Sequence, residues 1–290
     1  MPPPDFKLDP EMTLGPVSLR VKDLDSMLAF YEKDFGLVPS RRNANIVELS
    51  PGKSLEPIIV LRHVPEAERA PEDAAGLYHY ALLVPDRRSL AAAYISIGNA
   101  GMTFDGFADH LVSEALYLSD PEGNGIEIYA DRERSRWKFD EDGQVDMSTQ
   151  PLDIDSLLKE AANLPRDGLK AIADGTRVGH IHLKVTDLQR SIAFYRSVLG
   201  LVLMRYYGSA AFLSVGRYHH HIGMNTWESL GGKPLEKNWA GLEHVTITVP
   251  PENLKELSSM LADSPIAHNE ADGRLFISDP DEIELVLKAS

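Results

Sequence analysis

Cysteine is absent from this 290-residue chain. Disulfides, iron–sulfur clusters and thiolate metal sites are therefore excluded, and any metal must be held by imidazole and carboxylate. Long apolar runs are missing as well. No stretch approaches the length of about 18 apolar residues that a membrane span needs. The opening Met1-Pro2-Pro3-Pro4-Asp5 has no basic region and no apolar core, so it does not read as a signal peptide, and the cytoplasm is the expected location. Basic residues are scarce beside acidic ones: 29 Lys and Arg stand against 44 Asp and Glu, a formal charge of −15 spread along the chain. Such a field repels nucleic acid and anionic membranes, so neither is expected as a partner. Several catalytic motifs are also lacking, among them a Walker-type phosphate loop, a Gly-x-Ser-x-Gly elbow and a His-Glu-x-x-His helix.

What is present is a repeat. Pro16-Val17-Ser18-Leu19-Arg20-Val21, His79-Tyr80-Ala81-Leu82-Leu83-Val84, His180-Ile181-His182-Leu183-Lys184-Val185 and His244-Val245-Thr246-Ile247-Thr248-Val249 share one pattern, and their first residues lie 63, 101 and 64 positions apart. Two short, nearly equal intervals around a long one are the arithmetic of a duplicated two-module domain. Each opening is rich in β-branched residues and suits a strand.

In modules one and three an Asp-Leu pair follows, then apolar residues at helical spacing over 26–35 and 191–199, with Gly36 and Gly200 at helix C-cap positions. Comparable helices are predicted over 89–97 and 254–261. Strands are predicted over 45–49, 57–61, 115–118, 126–129, 210–215, 220–224, 275–277 and 283–287, separated by turns such as 120–125 and 279–281. The unit is strand, helix, then two or three strands. One unit alone exposes an apolar sheet face, and pairing two covers the open edges around a cleft. The fold class is α+β, built of tandem βαβββ modules. An N-terminal two-module domain is expected over 12–131, a charged connection with a short helix (153–163) over 132–177, and a C-terminal two-module domain over 178–288. Trp137 is a candidate to pin the connection.

Three residues are candidate metal ligands: His180 and His244, opening modules three and four, and Glu284 in the last strand of module four. Strand starts related by a pseudo-twofold axis face each other across one cleft, and a glutamate from the final strand supplies a third corner. Two neutral imidazoles and one carboxylate suit a divalent first-row metal and, with one face open, form the arrangement of non-heme iron(II) oxygenases. Manganese fits the same ligands, and residue types do not exclude zinc. Glu284 lies in the apolar run Ile283-Glu284-Leu285-Val286, where an unpaired carboxylate would be costly if buried. A second signal is Tyr218-His219-His220-His221. Read as a strand, it sends His220 to one face and His219 and His221 to the other. A pocket-facing imidazole beside a metal can act as acid, base or hydrogen-bond donor.

These segments, with Asp109 to Tyr117, Asp120 to Tyr129, Gly179 to Val185 and Tyr218 to Trp227, resemble the vicinal oxygen chelate superfamily. Within it they resemble most closely the type I extradiol (catechol 2,3-dioxygenase-like) ring-cleaving dioxygenases, and the resemblance covers nearly the whole chain. It implies two glyoxalase/bleomycin-resistance/dioxygenase-like domains and an Fe(II) enzyme, with Mn(II) as the alternative ion, that opens the ring of catechol or a substituted catechol with dioxygen. It also implies a metal held by His180, His244 and Glu284, and His220 as the catalytic histidine, with His221 as the alternative one register away. A homo-oligomer is the expected assembly. The family's tyrosine before the Asp-Pro turn of module four is here Phe276, which lacks the hydroxyl; His268 is a possible substitute. Pro16 fills the slot equivalent to His180 and has no ligand atom, so the N-terminal half is expected to be structural, although His79 and Glu127 fill two family-like slots and His110 and Tyr117 stand nearby. Rival readings are an isomerase or lyase of the same fold, and a non-catalytic protein that binds aromatic ligands.

Overall fold

The computed structural model describes residues 6–52, 54, 56–165 and 169–290. The segment read above as lacking a signal peptide, 1–5, lies outside the described residues. Module one contains β1 (Thr13–Val21), α1 (Leu24–Leu28), β2 (Leu37–Arg42), β3 (Ile46–Pro51) and β4 (Ile59–His63). Module two contains β5 (Gly76–Leu83), α2 (Arg87–Asn99), β6 (Gly106–Asp109), β7 (Ser113–Ser119) and β8 (Gly125–Asp131). A short α3 (Ile154–Glu160) lies in the connection. Module three contains β9 (Arg177–Lys184), α4 (Leu188–Val198), β10 (Val202–Tyr206), β11 (Ala210–Ser214) and β12 (Ile222–Asn225). Module four contains β13 (Gly241–Val249), α5 (Pro251–Ala262), β14 (His268–Ala271), β15 (Arg274–Ser278) and β16 (Glu284–Ala289).

The helix starts are written in local chemistry. Asp23, Asp86, Asp153 and Asp187 each accept a hydrogen bond from a backbone N–H three residues on, capping α1, α2, α3 and α4. The Asp-Leu pairs of modules one and three are these caps. Helix α5 begins instead with Pro251, whose missing N–H costs nothing in a first turn. Gly36 and Gly200 take positive φ (73° and 66°) where the helical segments of modules one and three stop. The first helix departs from the predicted single α-helix, because residues 29–34 form a π turn closed by Phe35 N donating to the Phe30 carbonyl.

The strands form two eight-stranded sheets, ordered β14-β15-β16-β13-β1-β4-β3-β2 and β10-β11-β12-β9-β5-β8-β7-β6. Module one therefore shares a sheet with module four, and module two with module three. The sequence reading had joined neighbours along the chain. The repeat establishes which strands are equivalent, but equivalence does not choose partners. In modules two, three and four the first and last strands pair in parallel, β5 with β8, β9 with β12 and β13 with β16, and the outer strands are antiparallel. By contacts, the chain gathers into two compact units, one of residues 1–20, 67–78 and 180–290, the other of 21–66 and 79–179. Among the described residues no helix is long and apolar enough to cross a membrane.

In the second of these units, the connection is anchored by charge. The buried Glu114 carboxylate receives Arg87 (2.5 Å) and Arg132 (3.0 Å), and Arg87 also reaches Ser156 and Glu160 of α3. Trp137 is buried, and its indole N–H donates to the Arg132 carbonyl, a bond within the connection itself. The turn before β8 is tied by Asp120, which accepts from the backbone of Glu122 and Asn124 and from the Tyr31 hydroxyl. Tyr31 in turn meets Tyr80 at 2.7 Å. Burial raises the pKa of Asp120 and of both tyrosines.

The first unit repeats this device before β16. Asp279 accepts from the backbone of Asp281 and Ile283 and from the Tyr195 hydroxyl. Desolvation pushes its pKa from 3.8 to about 7, since burial penalises the charged form more than these donors favour it. Below pH 3.8 the carboxyl is neutral in both folded and unfolded chains. Between 3.8 and about 7 only the unfolded chain gives up its proton, so this group's contribution to stability falls as pH rises. Asp279→Asn removes the titration. Its melting temperature relative to the parent should climb from pH 4 to pH 7 by an amount worth a few kcal/mol and then level off. A difference that stays flat across that window overturns the account.

Candidate metal centre

His79 lies on β5 and Glu127 on β8, and the parallel register sets Glu127 beside Ala81, two residues beyond His79. Their side chains meet, His79 Nε2 to Glu127 Oε2 at 3.0 Å, and only 9% and 4% of their side-chain surface is exposed. A carboxylate so deeply buried in a strand of apolar neighbours needs compensation, by a cation or by hydrogen bonds. Tyr117 of β7 stands directly across from Glu127. The Tyr117 hydroxyl lies 2.7 Å from His110 Nε2, while His110 Nδ1 faces the Ser148 carbonyl at 2.9 Å. A carbonyl only accepts, so for a neutral His110 the proton sits on Nδ1 and the Tyr117 O–H donates to Nε2.

His180 follows a glycine that packing demands. A Cβ at Gly179 would lie 1.9 Å from Tyr129 Oη and 2.9 Å from Leu83 Cβ, so a side chain there would force β9 away. His180 is 1% exposed. The ring of His220 lies 4.0 Å from the His180 ring and that of His219 5.9 Å, centroid to centroid. His219 Nδ1 and His220 Nδ1 are 2.8 Å apart, a bond in which one nitrogen donates and the other accepts.

One atom from each of His79, Glu127 and His180 can be chosen so that all three lie within 4.8 Å of one another, and all three residues are buried. Two imidazoles and a carboxylate gathered out of water at that spacing are a fitting donor set for a divalent first-row metal, Fe(II) or Mn(II). The strands that carry them, β9, β5 and β8, are consecutive in one sheet.

A model of the Glyoxalase/Bleomycin resistance protein/Dioxygenase superfamily matches residues 13–128 and 177–287. The chain belongs to this superfamily. Over 272 residues, 92% of this chain and 93% of its relative, it is 38% identical to the catechol-2,3-dioxygenase of Bacillus subtilis (strain 168). Two solved structures share the fold at low identity. The cppA protein of Streptococcus pneumoniae TIGR4 matches with a TM-score of 0.61 at 11% identity, covering 98% of this chain and 100% of that one. Glyoxalase I of Zea mays matches with a TM-score of 0.56 at 17% identity, covering 96% and 92%.

Within this superfamily fold, the expected ligand set needs correction. Of His180, His244 and Glu284, only His180 joins the triad. His244 and Glu284 belong to the other sheet, on β13 and β16. There His244 Nε2 meets Ser18 Oγ at 3.0 Å, and the strand opening of module one offers Pro16 rather than a second imidazole. The carboxylate is also out of register. Glu284 pairs with His244 itself, so the position equivalent to Glu127 is Val286, opposite Thr246. Glu284 is the first residue of β16 and only half-buried, so the burial cost that singled it out falls on Glu127 instead.

The N-terminal half is thus not merely structural. Phe276 loses its bearing on the site, because it stands opposite Val286 as Tyr117 stands opposite Glu127. The phenol slot beside the triad is filled, and His268, exposed on β14, is not required as a substitute. The histidine run also differs from the reading. Residues 219–221 precede β12, strict alternation does not apply, and His219 and His220 are both buried. His221 bonds Ser214 Oγ through Nδ1 at 2.8 Å. The signal that could have found the site was present: Ile126-Glu127-Ile128 is as apolar a setting as that of Glu284, and Tyr117 occupies module two's phenol slot.

Proposed function

We propose that this protein is a metal-dependent extradiol dioxygenase that opens the ring of catechol or a substituted catechol, with His79, His180 and Glu127 as ligands. The observation that carries the reading is the buried triad, in a chain with a catechol-2,3-dioxygenase relative over nearly its full length. When bound, Fe(II) or Mn(II) supplies Lewis acidity toward the two adjacent oxygens of the diol and a redox route from the electron-rich ring to dioxygen.

The chain's own residues handle orientation, protons and water. By register, Gly223 pairs with His182 as Glu127 pairs with Ala81, so module three has no side chain in the slot where module two presents its carboxylate. The rings of Phe212 and His182 flank that position instead. His220 serves as the proton-transfer residue. Its Nδ1 is paired with His219, so Nε2 accepts a proton in the tautomer whose Nδ1–H donates to His219 and donates one in the tautomer whose Nδ1 accepts from it, which suits one group to both acid and base steps. Tyr117 donates its hydroxyl to His110 Nε2, which fixes the phenol ring opposite the carboxylate ligand. Phe212 supplies an apolar wall beside His220, their centroids 4.9 Å apart.

The reading retains the domain division at 12–131, 132–177 and 178–288, a cytoplasmic location and a homo-oligomeric assembly. Anaerobic loading with Fe(II) is expected to give one ion per chain, and catechol with dioxygen should then give a yellow ring-opened product with matching oxygen uptake. Turnover of an oxygen-chelating substrate without oxygen uptake would instead mark an isomerase or lyase.

A further inference from the structure

Beyond the triad, a chain of aromatic rings runs outward from His180. The His180 ring touches His220 (4.0 Å), His220 touches Phe212 (4.9 Å), and Phe212 touches His182 (5.6 Å). His182 then meets Tyr78 (5.1 Å) and Trp227 (5.7 Å), which meet each other edge to face at 5.1 Å. The strands explain the row. His180 and His182 are two apart on β9 and so share a face. Phe212, Gly223 and His182 stand side by side across β11, β12 and β9. Glycine at the middle position lets the two flanking rings close over it: a Cβ there would lie 3.1 Å from His182 Cγ.

The inner end of the row is buried, with His180 1% and His182 3% exposed, whereas Trp227 at the outer end is 52% exposed. Trp227 is fixed despite its exposure, since its indole N–H donates to Ser209 Oγ and its backbone N–H to Asn225 Oδ1. The charges beside the outer end are matched. Lys184 Nζ lies 3.6 Å from Glu228 and donates to the Glu72 carbonyl. Rings held rigid at one end by a metal ligand and at the other by hydrogen bonds form a low-entropy stacking surface, with balanced charge at its rim.

We infer that Tyr78, His182, Phe212 and Trp227 form a subsite for a flat, uncharged substituent on the substrate ring, so that the preferred diol is an aryl- or alkenyl-substituted catechol rather than catechol itself or a carboxylate-bearing one. The inference rests on the catechol reading above and extends the same site outward.

The test is anaerobic calorimetry on the Fe(II)-loaded protein, with 4-phenylcatechol, catechol and 3,4-dihydroxyphenylacetate as probes. Phenylcatechol should bind at least about tenfold more tightly than the other two. The ratio of catechol to phenylcatechol dissociation constants should fall about tenfold in both Trp227→Ala and Tyr78→Leu. Phenylcatechol should also quench the emission of the exposed Trp227 in the parent protein; the chain's other tryptophans, Trp137 and Trp239, are buried. Equal affinity for phenylcatechol and catechol, or an unchanged ratio in both variants, overturns the subsite. Binding is read without dioxygen. Selectivity without ring opening on later aeration would therefore refute the reaction and leave the subsite standing.

Discussion

Glu127→Ala should purify without metal and without ring-opening activity, while Glu284→Ala retains both. Glu127 is the only carboxylate in the triad, and without it two neutral imidazoles face a divalent ion with no compensating charge. Changes to groups that merely orient a ligand cost roughly 10–100-fold in metal affinity, and losing the ligand itself should exceed that range. Glu284 is half-buried at a strand start in the other sheet, beside His244 and Ser18 rather than His180. Its removal should shift melting by a degree or two and leave metal content unchanged. Emission spectrometry of both variants after dialysis, with oxygen uptake on catechol, decides the matter. Metal loss in Glu284→Ala with retention in Glu127→Ala would return the site to modules three and four.

His220→Phe should separate the proton-transfer role from metal binding. The substitution keeps a ring against His180 and Phe212 but removes both nitrogens. Metal content should stay at one ion per chain while kcat drops by about 10²–10⁴, the usual span for a lost acid–base group. Because the phenyl cannot accept from His219, the pH profile should also lose one limb. A variant with normal turnover, or one that loses its metal, would remove His220 from the role argued above.

Much of the fold was legible in the sequence. The four strand openings, the Asp-Leu helix starts and Gly36 and Gly200 report local rules, because capping and positive φ are settled within a few residues. The choice of which modules share a sheet is not local. It depends on connections such as 64–75 and 132–176, whose sequences carry turn chemistry but no statement of destination. The ligand error follows from that one ambiguity. His180 was legible because it opens module three, which is common to the expected pairing with module four and the observed pairing with module two. Its partners were not, because His79 and His244 are interchangeable until a sheet is chosen. The placement of Glu284 failed for a smaller reason: in a parallel pair, a two-residue offset preserves the face and hides the shift. The histidine run was misjudged because it precedes β12 and obeys loop packing, not alternation.

The pairing of the second module with the third has a consequence for how such a protein can be divided or inherited. Two ligands are encoded before the connection at 132–177 and one after it, so neither gene half specifies a complete centre. A recombination or cleavage event within that connection separates the carboxylate from one imidazole, and only fragments that find each other again can recover the chemistry. Among the described residues the first and fourth modules contribute no donor to this group, and the strand opening of module one carries Pro16, which has no ligand atom.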